Sequence, residues 1–252
     1  MIQSSTNDNG HQKNNLRFIP SNDALIYCKI TGPEDAPALI LLHGNGEDLF
    51  YFNAEIRNFS QYFRTIAFDT RAHGLSTRGK APFNFFTLAF DLLEILDALK
   101  VHKAHVVGFS DGAITALHAA LIFPERISSM VLLGVNHNPQ GIRWIPRLQI
   151  LFKYTWLSLA SLFSAEKREQ KEICGLMVHQ PKLTIAEISQ INVPTLVVTG
   201  EKDMVSQRQN DEISNAIAGS KRIIIPGGDH FWLFDQTELF NQIVMDFVSM
   251  KQ

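Results

Sequence analysis

From about Asp23 onward, short apolar runs rich in Val, Ile and Leu alternate with longer stretches whose apolar residues recur at helical spacing. The runs LIYCKI (25–30), ALILLHG (38–44), TIAFDT (65–70), AHVVGFS (104–110), SSMVLLG (128–134), PTLVVTG (194–200) and KRIIIPG (221–227) read as strands. Their near-continuous hydrophobicity predicts burial on both faces, as in a mostly parallel sheet. Residues 47–62, 85–100, 111–123, 206–218 and 235–249 fit the helices that connect such strands; Phe90, Leu93, Leu96 and Leu99 show the spacing. The alternation predicts an α/β fold with helices on both faces of the sheet.

The pattern breaks once, between Asn136 and about Gln190, where the aromatic-rich QILFKYTWLSLASLF precedes the charged AEKREQKE. This predicts a helical insertion at about 136–190 in an otherwise single domain spanning 16–252. Residues 149–163 read as an amphipathic helix packed on the domain, not lying on a membrane, because Lys153 is the one cation within them. Residues 1–15 are polar, with no apolar core of a secretory signal, and read as a disordered N-terminus. No run approaches the ~20 apolar residues of a membrane span. The expectation is a cytoplasmic protein.

Composition adds exclusions. The 252 residues are 45% hydrophobic and 19% charged, ordinary for a folded domain and unlike a disordered chain. A formal net charge of -2 offers no basic face for nucleic acid. Cys28 and Cys174 stand far apart and outside any C-x-x-C spacing, so neither a disulfide framework nor a zinc site is indicated. Nothing in the pattern sets an oligomeric state.

The candidate chemistry starts at Gly108-Phe109-Ser110-Asp111-Gly112, directly after a buried-strand pattern and before the helical Ala113–Leu117. A serine at the apex of a tight strand-to-helix turn is lifted off the sheet, and neighbours two positions either side must lack side chains. Ser110 is therefore the candidate nucleophile, with the Asp111 amide at the helix N-terminus as a donor to developing negative charge. A serine hydroxyl needs a base, and among nine histidines His230 follows the last strand in a glycine-rich turn, at the edge where the strand ends converge. His43 precedes Gly44 and suits turn shaping, while His102, His105 and His118 fit core or surface roles. The third member is a carboxylate that orients the imidazole: Asp203, after PTLVVTG, ahead of Glu201 and Asp229, which fit solvated or loop-stabilising roles. Val135 and Asn136, after the strand ending at Gly134, supply no acid. In LLHGNGED the amide of Asn45 is the candidate second oxyanion donor.

Together HGNG (43–46), FDTRAHGLS (68–76), GFSDG (108–112), VPTLVVTGEKD (193–203) and GGDH (227–230) resemble the α/β-hydrolase superfamily, across nearly the whole chain from about residue 20. The Ser-Asp-Gly elbow is similar to small bacterial esterases and the valacyclovir-hydrolase-like group. The resemblance implies an eight-stranded sheet with one antiparallel strand, hence a further edge strand near Leu16–Ile19, and a lid over 136–190. It also implies ester hydrolysis of a small molecule through an acyl-enzyme on Ser110, with no metal or organic cofactor. A serine at the elbow argues against dehalogenases and epoxide hydrolases, which place an aspartate there. A carbon–carbon bond hydrolase and a cofactor-free perhydrolase would use the same three residues, whereas a non-catalytic binding protein would show a broken set. Asp111 is a candidate for attracting a cationic acyl group. Trp144, Phe152, Tyr154 and Trp156 are candidates for lining an apolar acyl pocket.

Overall fold

A computed structural model of the chain describes residues 15–249. The disordered N-terminus expected over residues 1–15 lies, apart from Asn15, outside the described residues. The strands are β1 (Leu16–Ser21), β2 (Ala24–Thr31), β3 (Ala38–Leu42), β4 (Arg64–Phe68), β5 (Ala104–Phe109), β6 (Ile127–Leu133), β7 (Thr195–Gly200) and β8 (Lys221–Ile225). They form one sheet in the order β1-β2-β4-β3-β5-β6-β7-β8, with β2 antiparallel to both its neighbours and every other pairing parallel. The edge strand implied near Leu16–Ile19 is β1.

The helices are α1 (Asn53–Phe59), α2 (Phe85–Ala98), α3 (Asp111–Ile122), α4 (Trp144–Ala160), α5 (Ala165–His179), α6 (Ile185–Ile188), α7 (Gln207–Ala216), α8 (Trp232–Asp235) and α9 (Thr237–Ser249). Because side chains alternate across a strand, β3 feeds two cores at once. Ile40 and Leu42 join the core with Leu88 and Leu92 of α2 and Leu117 of α3. Leu39 and Leu41 join the opposite core with Ile56 of α1 and Phe240 and Val244 of α9. Among the described residues no helix is long and apolar enough to cross a membrane.

Several apolar runs outlast their strands at the carboxyl end. His43, Asp69, Ser110, Gly134 and Pro226 all lie past the last paired residue. This is the edge where parallel strands of an open α/β sheet deliver their loops, and ligands bind there.

The FDTRAHGLS segment builds a buried ionic knot near the other end of the sheet's order. Arg71 Nε and Nη2 donate to the two oxygens of Asp91 on α2, each at 2.6 Å. Ser21 Oγ, at the end of β1, donates to Asp91 Oδ1 at 2.6 Å, and Arg71 Nη1 reaches Asp23 Oδ1 at 3.3 Å. Arg71 and Asp91 are almost wholly buried, so this two-pronged pairing offsets the desolvation of both charges and ties the edge hairpin to α2.

Between β6 and β7 the chain makes the helical excursion of α4, α5 and α6. Its ends touch: Leu183 N–H donates to His137 O at 3.0 Å, and His137 Nδ1 lies 3.0 Å from Leu183 O. α4 departs from the expectation in two ways. It starts at Trp144, not Gln149, because Pro146 falls in its first turn, where a missing N–H is harmless. Its apolar side is also not packed on the domain: Leu157 is its one fully buried residue.

Candidate active site

Ser110 stands between β5 and α3 with φ 52° and ψ −115°, a left-handed conformation that a residue with a side chain adopts only under constraint. Three hydrogen bonds hold it there. Its N–H donates to Leu133 O at 2.8 Å, and its carbonyl accepts from Ala113 N at 2.9 Å and Ile114 N at 3.1 Å. The flanking glycines are required by close approach, since a methyl on Gly108 would land on the carbonyl of Gly112, and one on Gly112 would land on the carbonyl of Leu42.

His230 and Asp203 meet. Asp203 Oδ1 accepts from His230 Nδ1 at 2.8 Å and from Val205 N at 2.8 Å, while Thr199 Oγ1 approaches Oδ2 at 3.3 Å. With Nδ1 donating to the carboxylate, Nε2 carries the lone pair, the tautomer that a proton acceptor needs. The ring is buried and packed on Phe109, centroids 4.9 Å apart. Ser110, Asp111 and His230 line one narrow cleft with Ile114, Met177 and Gln180. The other carboxylates serve loops: Glu201 accepts from Gly227 N and Asp229 from Phe231 N, each at 2.8 Å.

His43 is a strut. Its Nε2 accepts from Thr70 N at 3.0 Å, so its Nδ1–H donates to Gly44 O at 2.8 Å. Burial, with His73 nearby, pushes its pKa down to about 3, so the ring stays neutral and keeps this polarity. Gly44 N–H is in turn taken by Glu47 Oε2 at 2.9 Å. Among the described residues the amides of Asn45 and Asp111 donate to no protein acceptor.

The Asn45 side chain has a role that its sequence context did not announce. Its Nδ2 donates to Asp111 Oδ2 at 2.8 Å and to Ile173 O of α5 at 2.7 Å, linking the β3 loop, the elbow and the insertion. Burial raises Asp111 to about 6 against the opposing pull of Asn45, and burial likewise raises Glu47 to about 7. Met177 and Gln180 were also not legible as cleft residues, because nothing in a charged helix marks which turn will face a serine and a histidine that lie 50 or more residues away.

The aromatics of the insertion divide. Trp144 lines an open trough of about 810 Å³ that runs from His230 between Ile150, Met177 and Phe231. Phe152 does not face it: it is 78% exposed on the outer face of α4 with Leu148 and Leu151. Trp156 is 54% exposed and carries Lys167 Nζ 5.8 Å from its ring centroid, and Tyr154 packs edge-on against His179. The acyl-pocket expectation therefore fails for Phe152 and Trp156, because successive turns of α4 rotate their side chains away from the cleft.

A mostly parallel eight-stranded sheet, a strained serine after its fifth strand and an acid–histidine pair after its last two describe a class of hydrolytic enzyme. Sequence comparison agrees: residues 37–158 match the model for the alpha/beta hydrolase fold. Human serine hydrolase BPHL is 29% identical, the alignment covering 90% of this chain and 84% of that protein. The 3-oxoadipate enol-lactonase 1 of Acinetobacter baylyi is 25% identical over 89% of this chain and 93% of its own length. The enol-lactonase structure from Burkholderia xenovorans superposes with a TM-score of 0.77 at 23% identity, covering 92% of this chain and all of that one. The chain is a hydrolase of the α/β-hydrolase fold, with esterase- and lactonase-like relatives.

Proposed function

We propose that the chain is a serine hydrolase that cleaves a small carboxylic ester, open or cyclic, through an acyl-enzyme on Ser110. The observation that carries this reading is the His230–Asp203 hydrogen bond, which leaves His230 Nε2 as the proton acceptor in the cleft it shares with Ser110. Ser110 Oγ attacks the ester carbonyl as His230 takes its proton. The amides of Asn45 and Asp111 receive the oxyanion; the tetrahedral species collapses, and His230 passes its proton to the departing alkoxide. Water then gives a proton to His230 and its hydroxide to the acyl carbon, and the serine oxygen leaves with that proton. The names of relatives support this, a serine hydrolase for the nucleophile and an enol-lactonase for the bond class.

Incubation with a fluorophosphonate probe and with p-nitrophenyl esters of increasing chain length tests the reading. Labelling at Ser110 and turnover abolished in Ser110→Ala are expected. No labelling and no turnover would overturn it. Within this reading Asp111, at the cleft wall beside the nucleophile, favours an ammonium-bearing acyl group over a carboxylate. Asp111→Asn should erase a preference for aminoacyl over plain acyl esters, and an unchanged preference would dismiss the idea.

A further inference from the structure

The outer face of α4 and the turn after it form the largest concentration of exposed apolar side chains. Of the 22 large apolar side chains exposed among the described residues, 9 fall within residues 144–163. Leu148, Phe152 and Leu159 recur on one side of the helix, and Leu162 and Phe163 extend the stripe past its end. Phe152 is 78% and Phe163 89% exposed, in a chain whose two cores are otherwise well filled. An unbroken apolar stripe of this kind marks a surface that meets something.

Charge decides what. Between Arg143 and Ser164 the chain carries Arg143, Arg147 and Lys153 and no acidic residue. Arg168, donating to Ser161 O at 3.0 Å, and Lys167, stacked over Trp156, add two cations from α5 at the far end of the stripe. Lys167 pairs with Glu166 at 3.3 Å, whereas Arg143, Arg147, Lys153 and Arg168 enter no ion pair among the described residues. Arg147 projects beside the apolar stripe, whereas Arg143 and Lys153 line the trough that runs to His230. Two copies meeting through this face would bring like charges together with no acid on α4 to answer them. An anionic lipid surface answers both features, taking the aromatic and leucine side chains into the acyl boundary and the cations into the headgroups.

We propose that the protein docks on anionic bilayers through the outer face of α4, whatever bond its active site cleaves. Residues 149–163 alone hide this, since the helix begins five residues earlier and brings Arg147 with it. The test is co-sedimentation of the full chain with phosphatidylcholine vesicles, with and without phosphatidylglycerol, read together with tryptophan emission. Binding and a blue shift with the anionic vesicles alone are expected, weakened by added salt. The Leu159→Ser/Phe163→Ser variant should bind about tenfold more weakly or worse, while hydrolysing a soluble ester as the parent does. Arg147→Gln should bind about fivefold more weakly, the factor one basic side chain contributes near an anionic leaflet. No vesicle binding by the parent, equal binding to phosphatidylcholine alone, or parent-level binding by the double variant would overturn the proposal. So would a dimer in sedimentation velocity that the double variant abolishes while vesicles bind neither protein.

Discussion

Gly134 lies directly against His230: a Cβ at position 134 would stand 2.7 Å from the imidazole Cε1 and 3.2 Å from Asp203 Oδ2. The residue just past β6 thus supplies the floor on which the imidazole rests, and its φ of +59° adds a second reason for glycine. Gly134→Ala should displace the ring by part of an ångström and lower kcat on a p-nitrophenyl ester about 100-fold. The accompanying strain of about 1 kcal/mol would shift Tm by only a few degrees. Parent-level kcat in a folded Gly134→Ala protein would show that the ring is held from elsewhere.

Asp203 is the carboxylate that reaches His230, and Glu201 and Asp229 are occupied by loop amides. Asp203→Asn should present the wrong hydrogen-bonding partner to Nδ1 and reduce kcat on the order of 10⁴-fold. Glu201→Gln and Asp229→Asn should remain close to the parent. Steady-state kinetics on the three variants, with circular dichroism to establish folding, separates these roles.

The Arg71–Asp91 pair predicts an asymmetry between single and double substitution. Asp91→Asn leaves a buried guanidinium without its counter-charge and should destabilise by about 3–5 kcal/mol. In a chain of 252 residues that corresponds to a Tm lower by roughly 10 °C. Replacing both partners, as Arg71→Met with Asp91→Leu, should be milder than either single change, because no charge is then stranded. Calorimetry on the three proteins would contradict this if the effects simply added.

Glu47 and Asp111 tie stability to pH. Burial lifts Glu47 from 4.5 to about 7 and Asp111 from 3.8 to about 6, so the folded chain keeps protons that the unfolded chain has released. Their contribution is therefore full below the unfolded values of 3.8 and 4.5, declines as pH rises through about 6 and 7, and is lost above. Glu47→Gln keeps an acceptor for Gly44 N–H and removes that dependence. Relative to the parent it should gain of order 1–2 kcal/mol between pH 5 and pH 8. Urea titrations at the two pH values measure this, and an equal offset at both would refute it.

The strands and the elbow were legible because both depend on neighbours in the chain. Buried runs mark β2 to β8, and Gly108 and Gly112 are spaced by the turn they permit. The exposed edge strand β1 was legible only through resemblance, since its burial alternates weakly and Pro20 interrupts the apolar run. Asp91 was invisible as Arg71's partner because their pairing is created by the packing of α2, not by spacing. Phe152 and Trp156 were misjudged for a related reason: an amphipathic helix announces that one face is apolar without saying whether that face meets the core, a ligand or the outside. Pro146 masked the true start of α4, where first-turn chemistry tolerates what an interior turn would reject.

The mutual hydrogen bonds of His137 and Leu183 make residues 138–182 a detour that leaves and rejoins the domain at one point. To the sheet, that whole stretch is equivalent to a short bridge, and its length adds little closure entropy. The proposed docking face and the cleft residues Met177 and Gln180 are thereby housed in a replaceable module, free to diverge in sequence and size while the strands beneath keep their register.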